Sequence, residues 1–189
     1  MSLSRSPLLI YSAAALNCVV VLATVVVRGW NSAGIHAVAR NSARFSALWF
    51  VVAFAAPGLV RFIRGLPAAT TLLWAWCAAH MVHFASVAVL LSIFERQHVE
   101  QHRLQNLLVV LIGSSFVFGA TLTAASHSLR HKVLHNISLY AVFVLFTLAF
   151  IHNRVPSLRL LAVALGVALV LRVSACIKAA KATPLSVSS

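Results

Sequence analysis

Nine histidines stand in a chain of 189 residues whose only acids are Glu95 and Glu100. Neutral imidazole is the commonest side-chain ligand for metals, and an ionisable group placed in an apolar run is costly unless it has work to do. His80 and His83 lie three apart inside one such run and so share one face of a helix. They can ligate a metal, or each can hydrogen bond a Ser or Asn of a neighbouring helix so that no buried polar atom is stranded. His135 and His152 bracket another run. They are 17 positions apart, about 25 Å at ~1.5 Å rise per residue, too far to bind one iron together. Either one can face a ligand on the run that carries His80 and His83.

The remaining candidates carry less chemistry. His127, His131 and His135 fall at i, i+4 and i+8, but the first two adjoin Arg130 and Lys132 and read as a solvated interfacial face. His98 and His102 sit beside Glu95 and Glu100. That spacing can serve a divalent metal, but the segment reads rather as an ordinary hydrated connection. His36 has no such neighbours. Cys18, Cys77 and Cys176 lie far apart in apolar stretches and form no CxxC or metal-ligand spacing, which is the pattern of inert buried thiols.

The elements that must position these groups are set by composition. Hydrophobic residues make up 61% of the chain and charged ones 9%, where a soluble domain carries about 25% charged. A hydrocarbon core of ~30 Å takes about 20 apolar residues per helix, and six runs stand out: about Pro7–Val27, Ser46–Ile63, Thr70–Phe94, Leu107–Ala125, Val133–Ile151 and Leu158–Ala175. The fold expected is therefore all-α, a six-helix membrane bundle over residues 1–177 with a polar, disordered tail at 178–189. Pro57 should kink the second helix. Gly113, Ser114, Ser115, Gly119 and Ala120 suit close packing by the fourth. The loops left over exclude a flavin or nicotinamide domain within these residues.

The formal charge of +13 does not mark a nucleic-acid binder, because its Lys and Arg residues sit singly or in pairs between apolar runs, where they meet anionic lipid head groups. The run after Arg5 exceeds a signal-peptide core and reads as a retained first helix. An even number of spans puts both termini on one side, expected to be the cytoplasmic side of a bacterial inner membrane. Eight basic residues on that side against seven on the other do not fix the orientation.

Three segments resemble the ferric reductase-like transmembrane domain family, and in particular its haem-binding membrane subunits. Asn41-Ser-Ala-Arg-Phe-Ser-Ala-Leu-Trp-Phe, running on to Ala56-Pro57 and Arg61, is similar to that family's second span. Trp76-Cys-Ala-Ala-His80-Met-Val-His83-Phe resembles its third, with the ligand matching His83. Val133-Leu-His135-Asn-Ile-Ser-Leu-Tyr140, with the later Phe150-Ile-His152, resembles its fifth. The resemblance implies a b-type haem held by His83 and either His135 or His152, with His80 in reserve. It implies electron transfer, for which two axial imidazoles are suited, with electrons drawn from a quinol or from the flavin of a partner protein. Arg61, Arg64, Arg130 and Lys132 would dock such a partner or the haem propionates, or else anchor lipid head groups. The competing expectation is a non-redox transporter or assembly subunit that uses its histidines for protons or metal.

Overall fold

The computed structural model describes residues 6–94, 103–126, 128–151 and 156–182. Six α-helices account for most of them: α1 (Ser6–Arg28), α2 (Ser32–Leu59), α3 (Ala69–Val89, continued by a π-helical turn, Leu90–Phe94), α4 (Arg103–Leu122), α5 (Leu129–Ile151) and α6 (Pro156–Ala182). There is no strand among the described residues. Five of the helices are long and apolar enough to cross a membrane, and in α4 the apolar stretch Leu111–Leu122 is shorter. His98, His102, His127, His152 and both glutamates lie outside the described residues, as does the tail beyond Ala182.

Two boundaries differ from the sequence reading for identifiable reasons. Helix α2 begins at Ser32, not near Ser46, because Asn31 caps it: the Asn31 side-chain oxygen accepts from the Gly34 N–H at 2.9 Å. Such a cap satisfies one of the free N–H groups of a first helical turn. Arg40 and Arg44 lie on this helix. Helix α6 runs to Ala182, past the end expected near Ala175 and into the stretch expected to be disordered. Its extra residues, Cys176-Ile-Lys-Ala-Ala-Lys-Ala, are mostly good helix formers.

Helices α2, α3, α4, α5 and α6 pack successively around a ring, α6 returning to α2, while α1 lies outside against α2 and α3. Large aromatic side chains fill the middle. Phe50 and Phe54 of α2 are fully buried, with Trp76 of α3 at 5.0 Å from Phe50 between ring centroids. From across the ring, Phe146 of α5 reaches Phe50 at 5.2 Å and Phe143 stacks on Phe54 at 4.9 Å. Between α3 and α5 the backbones do not pack closely, and side chains bridge the gap.

Where helices do touch, small residues permit it. A Cβ on Gly119 would lie 2.6 Å from Ser138 Oγ, which fixes the α4–α5 approach, and one on Gly58 would lie 2.5 Å from the Leu171 carbonyl oxygen, which fixes α2–α6. Gly113, also expected to pack closely, has open space around it. The outward faces are apolar: Val26 is 83% exposed and Val170 68%. Of the three thiols only Cys77 is buried; Cys18 and Cys176 face outward, contrary to the expectation of three buried cysteines.

Candidate histidine site between helices two and three

Helices α2 and α3 are antiparallel neighbours, so a residue pair that rises along one descends along the other. Ser42 and Ser46 are one turn apart on α2, and His83 and His80 are matched to them on α3. Ser46 Oγ is 2.7 Å from His80 Nδ1, and Ser42 Oγ is 3.1 Å from His83 Nδ1. The Ser42 hydroxyl is 3.1 Å from the Ala39 carbonyl and donates to it. A hydroxyl has a single proton, so toward His83 the Ser42 oxygen is the acceptor and His83 Nδ1 carries the hydrogen. The Nε2 atom of His83 is then the lone-pair nitrogen.

The two imidazoles lie 5.2 Å apart, but their surroundings differ. His80 is buried against Trp76 (5.8 Å), Phe84 (4.5 Å) and, from α5, Phe146 (5.9 Å). His83 is less enclosed and touches Phe84 at 6.1 Å. Asn17 of α1 backs the site: its Nδ2 donates to the carbonyls of Ala79 (2.7 Å) and Ser42 (3.4 Å). Two buried polar atoms close to this layer, Asn17 Oδ1 and Trp76 Nε1, have no hydrogen-bond partner among the described residues. An unpaired buried polar group costs about 1–3 kcal/mol.

His135 is placed elsewhere. Its Nδ1 is 2.7 Å from the Ala120 carbonyl of α4 and must donate to it, which leaves Nε2 as the lone-pair nitrogen here as well. The α5 residue that faces His80 is Phe146, eleven positions beyond His135, or about 16 Å along a helix at ~1.5 Å per residue. The structure thus brings His80 and His83 together and sets His135 in a different layer. His131 is exposed and pairs with Ser126 at 2.7 Å, as a solvated face would. His36 is exposed. No group of three or more His, Cys, Asp or Glu side chains is assembled for a metal ion among the described residues.

One residue of consequence escaped the sequence reading. Arg172 is buried at 9% exposure within α6, and its Nη1 donates to the Phe54 carbonyl at 3.1 Å. Pro57 has no N–H to return to the Ala53 carbonyl, one position before Phe54, so the bond from Arg172 falls next to that gap. The guanidinium carbon also sits 4.9 Å from the Phe54 ring centre and 5.8 Å from that of Tyr140, a cation–π arrangement. The signal was available: Arg172 is the only charged residue between Leu160 and Ile177.

No family model matches the chain, and neither a curated protein nor a solved structure matches it.

Proposed function

We propose that this chain is a multi-pass membrane protein of the ferric reductase-like type that holds a b-type haem through His83 and passes electrons from a quinol or a partner flavoprotein to an acceptor. The supporting observation is the hydrogen-bond chain from His83 Nδ1 to Ser42 Oγ to the Ala39 carbonyl. Haem-ligating and metal-ligating histidines are commonly fixed in this way, the far nitrogen donating to a second residue so that the near one presents its lone pair.

Among the described residues, His83 is the imidazole whose orientation supports this reading. His83 is oriented and less enclosed than His80, whose ring is closed in by Trp76, Phe84 and Phe146. The unpaired Trp76 N–H offers a further donor in the same layer. Haem, when bound, supplies a one-electron couple. The protein's part is to hold the His83 ring at a fixed tautomer and to keep water from it with the aromatic layer. The second ligand in this reading is His135 or His152, the latter outside the described residues.

A second reading is favoured by the Phe146–His80 contact: a non-redox membrane protein in which the serine–histidine pairs serve packing alone. Expression with ample haem supply and purification in mild detergent separates the two. The haem reading requires a red protein with a Soret band that shifts on dithionite reduction. A colourless protein would leave the second reading.

A further inference from the structure

We infer that Arg172 forms a binding site within the bundle for an oxyanion, a carboxylate or phosphate monoanion carried on an apolar body. Three observations converge on it, none of which depends on the haem reading. First, the guanidinium is more than nine-tenths buried, yet its Nε has no hydrogen-bond partner among the described residues, and the bond to Phe54 uses only Nη1. The Nε edge of a guanidinium is one of its two forked faces, and it matches the two oxygens of a carboxylate or phosphate.

Second, no Asp or Glu stands among the described residues to pair with this cation. The only two, Glu95 and Glu100, belong to the connection after α3. Residue 172 lies seven positions inside the apolar stretch Arg159–Ala179, about 10 Å from its end, where a lone charge is expensive and marks a site. Third, the groups around it suit an anion. From α5, Tyr140 lies under the guanidinium, and His135 is within electrostatic reach of it. From α2, the Phe54 ring and carbonyl face it, and from α4 the Ala120 carbonyl is taken up by His135. None of these contributes a negative charge. Tyr140 and His135 are only partly buried.

The apolar body follows from the surroundings. Leu139, Leu165 and Ala168 are buried in the core that flanks this layer, so a small hydrated ion would give up its water without compensation, whereas an amphiphile brings its own apolar surface. Two sources share this chemistry, an anionic phospholipid and a fatty acid.

The test is the thermal unfolding midpoint of the detergent-purified full chain, titrated with phosphatidylglycerol, oleate, inorganic phosphate or phosphatidylcholine as control. The wild type should gain several degrees with phosphatidylglycerol or with oleate, whichever is the source, and nothing beyond the control with inorganic phosphate. Arg172→Gln should abolish the gain, Arg172→Lys should weaken the apparent affinity at least tenfold by losing the fork, and exposed Cys18→Ser should leave it intact. Equal responses to phosphatidylglycerol, oleate and phosphatidylcholine in the wild type would overturn the inference even if Arg172→Gln did not fold. So would a full gain in Arg172→Gln, or an unchanged affinity in Arg172→Lys.

Discussion

At the scale of single residues, the serines matter as much as the histidines they hold. Removing the Ser46 hydroxyl strands His80 Nδ1 in a buried layer, so Ser46→Ala should cost about 1–3 kcal/mol of stability, measured by denaturation in detergent. Ser42→Ala acts on orientation instead, because His83 loses the acceptor that fixes its tautomer. With haem bound, that variant should lose haem about 10–100-fold more readily, read from the decay of the Soret band in competition with a haem acceptor. His83→Ala should lose it outright, while exposed His36→Ala keeps it. Haem retained in full by His83→Ala would remove His83 from the ligand set. The possibility that His80 and His83 bond to serines could be read from their depth in an apolar run. Which serines could not: Ser42 and Ser46 meet them only through the antiparallel register of α2 and α3, and nothing in either segment alone encodes that register.

At the scale of elements, the helices were legible because an apolar run of about 20 residues has few other stable forms in lipid. Their packing was less so. Gly119 and Gly113 look alike in sequence, yet Gly119 abuts Ser138 and Gly113 faces open space. Gly58, next to Pro57, stands at a close approach of α2 to α6. Gly58→Val should therefore destabilise the bundle by about 1–3 kcal/mol through overpacking, whereas Gly113→Ala should be neutral or stabilising by up to ~1 kcal/mol. Paired unfolding curves of the two variants check this, and equal effects would argue against the α2–α6 crossing. Arg172 was hidden for a related reason. Counted among the basic residues it is one more positive charge, and only the fold sets it beside the Phe54 carbonyl, 118 positions away in sequence.

At the scale of the whole molecule, the outward faces give the chain its place. Val170 is 68% exposed near the middle of α6, and a carboxylate there would meet hydrocarbon at a cost of about 2.5–3.5 kcal/mol. Val170→Asp should reduce the carbonate-resistant membrane fraction, while Val27→Asp, 77% exposed at the end of α1, should be tolerated. Equal behaviour of the two would count against a bilayer around this belt.

The circular arrangement of five helices also bears on biogenesis. Its seam joins α2, made first of the five by the ribosome, to α6, made last of the five, so α2 must wait through the synthesis of three more helices with its Gly58 face unpaired. Release of a nascent chain before α6 emerges would leave that face and the Phe54 carbonyl uncovered, an unsealed cylinder that membrane proteases can recognise and finished copies do not present.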